Sequence, residues 1–183
     1  QYYLLLLIIL FFTCREGYER GRIVCSLTTI PQRYELLLKT IDSLQAQTVQ
    51  PSVIYIHVAP ETMKKSKQDI DKLKRLVSRY PNVVVNVIER DLGPITKVVP
   101  VLPLINDDDK VVLVDDDHVY QKDMFEIFFN ESLKNPKNAY SFCVFEIEDL
   151  KVGQGADGFM INTSYLKNIL LFFNNYVKKN KSL

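Results

Sequence analysis

The chain alternates between short, unbroken apolar runs and longer segments in which apolar residues recur every three or four positions. Ile23 to Leu27, Val53 to Val58, Val83 to Ile88 and Val111 to Val114 are the apolar runs. They are rich in β-branched residues and predict strands covered on both faces. Between them, Leu36, Leu37, Thr40, Ile41 and Leu44 share one face of a helix predicted over Tyr34 to Gln47, with Pro51 at its exit. Ile70, Leu73, Leu76 and Val77 do the same over Lys64 to Tyr80, which Pro81 stops. Met124, Ile127, Phe128 and Leu133 mark a third helix over Lys122 to Asn135, closed by Pro136. Strand and helix in alternation predict an α/β fold, with a mostly parallel central sheet flanked by helices and right-handed crossovers. Ala139 to Phe145 predicts a further strand. Gly153, Gly155 and Gly158 then predict a flexible or tightly turned loop, and a last helix runs from Ser164 to Val177 before the basic end Lys178 to Lys181.

The fourth apolar run delivers three carboxylates, Asp115, Asp116 and Asp117, at one strand end. In parallel sheets ligands gather beyond the carboxyl ends of the strands, so these acids face a crevice. In an extended segment Asp115 and Asp117 share a face while Asp116 points the other way. Two such carboxylates suit one hard cation, Mg²⁺ or Mn²⁺, with phosphate oxygens completing its shell. The competing readings are an Asp-rich turn or a helix N-cap. An EF-hand is excluded by Tyr120 at the sixth loop position, where glycine is required. Asp107, Asp108 and Asp109, before the same run, read as a solvated turn, and His57, at a strand end, as structural.

The loop leaving the third strand, Arg90 to Lys97, ends beside the triplet. Lys97 offers a compact positive charge, Thr96 a hydroxyl and Gly93 close backbone access, while Asp91 can accept hydrogen bonds from a base or ribose. Thr28, Thr29 and Arg33 leave the first strand at that same end. The simpler reading of the second loop is a Gly-Pro turn with a surface lysine.

Composition narrows the partners. A chain of 183 residues with net charge +1 is one domain with no general electrostatic case for nucleic acid. Cys14, Cys25 and Cys143 have no metal-type spacing, and Cys25 and Cys143 read as core thiols. Tyr2 to Phe12 is apolar without a charge, and residues 1–22 are read as a membrane anchor or signal segment with a linker, making the protein membrane-associated. A buried core element is the alternative.

Three motifs in order, Ser-Leu-Thr-Thr-Ile-Pro-Gln-Arg (26 to 33), Asp-Leu-Gly-Pro-Ile-Thr-Lys (91 to 97) and Val-Asp-Asp-Asp (114 to 117), resemble the family-2-like glycosyltransferases of the GT-A fold, small viral and microbial members above all. The resemblance covers residues 23 to 165 and implies a nucleotide-diphospho-sugar donor, with UDP-sugars leading. It implies a DXD motif in which Asp115 and Asp117 hold Mn²⁺ or Mg²⁺, with the first-strand loop and Asp91 on the nucleotide and Lys97 near the diphosphate or base. The acceptor is a glycan, a lipid or a glycoprotein. Relatives continue into further acceptor-binding elements, so residues 23–183 are read as a catalytic domain truncated at its C-terminus. If the anomeric centre inverts, a carboxylate must take the acceptor proton. Asp157, in Gly155-Ala156-Asp157-Gly158, is the first choice, with Glu146, Glu148 and Asp149 as rivals. Two other classes stay open: a metal-dependent phosphotransfer or phosphohydrolase domain, and a nucleotide-sugar or glycan-binding module without turnover.

Overall fold

The computed structural model describes residues 21–63, 66–153 and 155–166. The run Tyr2 to Phe12, Cys14 and all but the first turn of the helix predicted from Ser164 lie outside these residues. Among the described residues no helix is long and apolar enough to cross a membrane.

In chain order the elements are β1 (Ile23–Thr28), α1 (Tyr34–Gln45), β2 (Val53–Val58), α2 (Ser66–Val77), β3 (Val83–Val87), β4 (Lys110–Leu113), α3 (Met124–Lys134), β5 (Tyr140–Ser141), β6 (Val144–Ile147), β7 (Leu150–Gly153) and β8 (Phe159–Asn162). The main sheet has the order β3-β2-β1-β4-β8-β5, and β6 and β7 form a separate hairpin. β1 pairs in parallel with β2 and β4, and β2 with β3. β8 runs antiparallel between β4 and β5.

The unbroken apolar runs are explained by two cores. Ile23, Cys25, Leu27, Val112 and Val114 point to one face, where Leu37, Ile41, Leu44, Leu73, Met124 and Phe125 from the three helices cover them. Val24, Val111 and Leu113 point to the other and meet Val101 and Leu166. Each fully buried aliphatic side chain contributes about 1.5–3 kcal/mol, so a strand used on both faces is apolar almost throughout, Ser26 being the buried polar exception in β1. Val101 comes from a 3-10 run, Val99–Leu104, in which Pro100 and Pro103 lack the amide hydrogens an α-helix would need. Leu36 and Leu133, assigned by periodicity to the buried faces, are instead exposed, and Tyr34 takes a place in the α1 interface.

Four sequence expectations are corrected. Ala139 to Phe145 is not one strand: β5 ends at Ser141 and the chain restarts as β6, whose four residues are all exposed. The stretch after the glycines is not only a loop, because Phe159 to Asn162 form β8, which pairs with the centre of the sheet. Asp109 is not solvated. It is buried and accepts two bonds from Arg22, Nε at 3.1 Å and Nη2 at 2.7 Å, and one from the Asn106 amide at 2.8 Å. Burial pushes its carboxyl upward, but Arg22 and Asn106 outweigh this and hold it below the ordinary carboxylate value. Cys143 is half-buried and outside the core, whereas Cys25 is fully buried, which raises its thiol pKa and leaves it inert.

Arg22 is also fastened through its carbonyl, which accepts from the Lys110 amide at 2.8 Å. Just before it, a Cβ on Gly21 would overlap the backbone carbonyl oxygen of Asp108. Gly21→Ala is therefore expected to lower stability by about 1–3 kcal/mol through overpacking, measured as a drop in the denaturation midpoint.

Candidate functional site

The carboxyl ends of β1, β2 and β4 open onto one cleft of about 260 Å³. Thr28 lines it from the end of β1, Thr29 and Arg33 from the loop that follows, Asp91 and Gly93 from the loop after β3, and Asp115 and Asp116 from the turn after β4. Residues separated by nearly ninety positions thus meet because parallel pairing aligns their strand ends. Ile30, Thr62 and Pro94 complete the lining and were not foreseen.

The three acids separate by partner. Asp115 pairs with the Lys97 ammonium. Asp116 is buried, and both of its oxygens are engaged: Thr29 Oγ1 donates at 2.6 Å and Arg33 Nη1 at 2.9 Å. Arg33 Nη1 also lies 3.3 Å from Asp117 Oδ2. Strict alternation therefore fails at Asp117, because β4 ends at Leu113 and residues 116 and 117 are already turning. Asp116, first among the neighbouring carboxylates, raises the Arg33 pKa further, so the guanidinium stays charged. Asp116 is thus a brace between the loops after β1 and β4, while Asp115 and Asp117 keep about two-fifths of their side chains open, 36% and 40%.

The loop after β3 is closed on itself. Asp91 Oδ1 accepts from the Gly93 amide at 3.0 Å and from Thr96 Oγ1 at 2.7 Å, and Thr96 Oγ1 accepts from the Leu92 amide at 2.8 Å. Glu61 takes the Asp91 amide hydrogen. Thr96 is buried and shapes the loop from behind the cleft.

A buried polar relay holds the next residue. Asn86 Nδ2 donates to His57 Nδ1 at 2.9 Å, which leaves the His57 proton on Nε2, 3.0 Å from Ser26 Oγ. Ser26 Oγ donates in turn to the Lys97 carbonyl at 2.6 Å. His57 is structural, as expected, and it places the Lys97 backbone. Burial lowers its pKa from 6.5 to about 4. The unfolded chain therefore binds a proton that the folded chain refuses between these values. This stabilisation is complete above pH 6.5 and is lost as pH falls towards 4, by about 3 kcal/mol at 1.4 kcal/mol per unit. Urea denaturation at stepped pH should show that slope, and His57→Gln should remove it.

Asp157 stands outside the first cleft. It lines a second of about 220 Å³ with His118, Val119, Tyr120, Gln121 and Phe142, and its Oδ1 lies 3.5 Å from His118 Nε2. The turn that carries it is closed by the Gly158 amide bonding to the Gly155 carbonyl at 3.2 Å. Gly158 has φ +87°, and a Cβ there would lie 2.5 Å from Met124 Sδ, so only glycine fits. On the other flank, a Cβ on Gly155 would lie 3.7 Å from Lys97 Nζ, so this turn borders the Lys97–Asp115 pair. Of the rival acids, Glu146 sits on β6 near Lys151, and Glu148 and Asp149 form the hairpin turn; neither cleft is lined by them.

Among the described residues no group of three or more His, Cys, Asp or Glu side chains is gathered as a metal cage. Asp115 and Asp117 still fit Mg²⁺ or Mn²⁺ chemically. Both are hard oxygen donors with about two-fifths of their side chains open, although of the two only Asp115 lines the cleft, and such ions commonly use one or two carboxylates with substrate phosphates.

The mostly parallel sheet flanked by helices is a GT-A, Rossmann-like fold, shared with solved nucleotide-sugar-binding and cytidylyltransferase structures. No protein-family model and no curated sequence matches the chain. Among solved structures, residues 1–349 of S. aureus TarS in complex with UDP superpose with a TM-score of 0.56 at 14% identity, over 80% of this chain and 48% of that one. The mannosyltransferase PcManGT from Pyrobaculum calidifontis, in complex with GDP-Man and Mn²⁺, gives 0.59 at 15%, over 82% and 47%. The Francisella tularensis 2-C-methyl-D-erythritol 4-phosphate cytidylyltransferase IspD gives 0.55 at 12%, over 87% and 82%. At these identities the likeness establishes the fold. The chain spans about half the length of these TarS and PcManGT chains.

Proposed function

We propose that this chain is the donor-binding, catalytic part of a metal-dependent glycosyltransferase, moving a sugar from a nucleotide-diphospho-sugar to a hydroxyl acceptor on a glycan, lipid or glycoprotein. The observation that carries this reading is the meeting of the three motifs around one cleft, with two cations, Arg33 and Lys97, set among the carboxylates. The neighbours solved with UDP and with GDP-Man and Mn²⁺ support it, and a UDP-sugar is the leading donor. Attachment to a membrane through residues 1–22 belongs to the same proposal and rests on the apolar run Tyr2 to Phe12.

Thr28, Thr29 and the Gly93 backbone would bind the nucleotide, and Asp91 would accept a hydrogen bond from its base or ribose through the oxygen not spent on the loop. Lys97 and Arg33 would face the diphosphate, whose negative charge grows as the glycosidic bond breaks. Asp115 and Asp117 would hold Mn²⁺ or Mg²⁺, which when bound supplies Lewis-acid stabilisation of that leaving group. Asp157 takes the proton of the acceptor hydroxyl as the acceptor oxygen bonds to the anomeric carbon and the diphosphate oxygen departs.

The IspD likeness favours a second reading, nucleotidyl transfer from a nucleoside triphosphate to a phosphate acceptor. The phosphohydrolase alternative is weakened by Thr28 and Thr29 at the end of β1, where such folds carry an Asp nucleophile. Calorimetric titration of the chain with UDP, GDP, CDP, their sugar conjugates and CTP, with Mn²⁺ and then with EDTA, separates these readings. Metal-dependent binding of one diphosphate and its sugar conjugate supports glycosyl transfer. Selective binding of the triphosphate supports the second reading, and no binding by a folded chain defeats both.

A further inference from the structure

Tyr120 joins the two sides of the site, and the geometry points to it as a positioning residue: its phenol ties the turn that carries Asp157 to the loop that carries Asp115. This rests on the reading of Asp157 as the base. The Asp115 amide donates to the Tyr120 hydroxyl at 2.8 Å, and that hydroxyl donates to the Ala156 carbonyl at 3.0 Å. One oxygen therefore accepts from the backbone of a donor-side carboxylate and donates to the residue preceding the proposed base.

The phenol is itself well fixed. Its residue is 5% exposed, its amide donates to Ser43 Oγ at 3.0 Å, and its ring packs on His118 with centroids 5.4 Å apart. The bond from the Gly158 amide to the Gly155 carbonyl is internal to the turn and sets its shape. The Tyr120 bridge sets its place. Misplacing a reacting group by about 1 Å can cost about a hundredfold in rate, so a tie of this kind acts on turnover rather than on donor affinity.

Tyr120→Phe keeps the ring and removes only the bridging oxygen. In the variant, amide exchange at Asp115, followed by NMR, should quicken about tenfold or more relative to the amide of Val112. With UDP-glucose and UDP-N-acetylglucosamine as donors and water as the acceptor, kcat for hydrolysis should fall about ten- to hundredfold while the Kd for UDP stays within threefold. Because Tyr120 acts through Asp157, adding Tyr120→Phe to Asp157→Asn should produce no further fall, a non-additivity that general destabilisation would not give.

An equal loss in both backgrounds, a fall in UDP affinity that matches the fall in turnover, or unchanged protection of the Asp115 amide in a nucleotide-binding variant would each overturn the Tyr120 proposal alone. Failure of the unaltered chain to bind any nucleotide would instead bring down the glycosyltransferase reading on which it stands.

Discussion

Replacing Asp115 and Asp117 together by asparagine is expected to remove the metal dependence of nucleotide binding. In the unaltered chain, Mn²⁺ should strengthen UDP binding; in the double variant the isotherms with Mn²⁺ and with EDTA should coincide, a loss of about a hundredfold or more in the metal-dependent part. The exchange is nearly isosteric and removes two negative charges from an open rim, where ion pairs contribute about 0–1 kcal/mol to stability. The denaturation midpoint should therefore hardly move, which separates a lost ligand from a lost fold. Arg33 keeps Asp116 as its partner, but Lys97 loses Asp115, so residual UDP binding in EDTA should persist or rise. Persisting metal dependence in calorimetry would mean that the cation is held elsewhere.

Asp157→Asn should have the opposite profile, with the Kd for UDP within about twofold and turnover lower by 10²–10⁴, the range general-base catalysis usually contributes. The separation follows from the architecture, since Asp157 lines the second cleft and is absent from the lining of the first. UDP release from UDP-sugar is the readout. If turnover stays within about tenfold, the base is another group, and His118, in contact with Asp157, becomes the next to replace.

What the sequence made legible follows from range. β1, β2, β3, β4 and the three helices are specified by local periodicity and by the double burial of β1 and β4, and the structure keeps them with ends displaced by a few residues. β8 escaped because four residues after an Asp-Gly turn carry too little pattern to announce a strand, and its pairing with β4 is distant. β6 escaped because all four of its residues are exposed, so alternation is missing. The Asp109–Arg22 pair was hidden behind a composition that ordinarily marks a solvated turn. At the site, residue type and strand-end position were enough to bring Thr28, Thr29, Arg33, Asp91, Gly93, Asp115 and Asp116 to one cleft, but Thr96, Lys97 and Asp117 stand outside its lining and Asp157 lines another. Type and position were not enough to separate Asp116, which braces the loops, from Asp115 and Asp117, or Thr96, which closes its loop, from Lys97. Tyr120 gave no local signal, because its role depends on two backbone groups from different loops.

The placement of β4 bears on how this chain acquires its site. Both partners of that strand are remote in sequence: Ile23 to Ser26 on one side and Phe159 to Asn162 on the other. Pairings of such span form late, after the loop-closure entropy of the intervening chain has been met. Until Phe159 to Asn162 arrive, the backbone of Val111 to Leu113 remains an open, strongly apolar edge, the kind of template on which nascent chains associate. Aspartates follow directly at one end of that edge, and acidic side chains at an exposed strand edge are a general means of opposing edge-to-edge association.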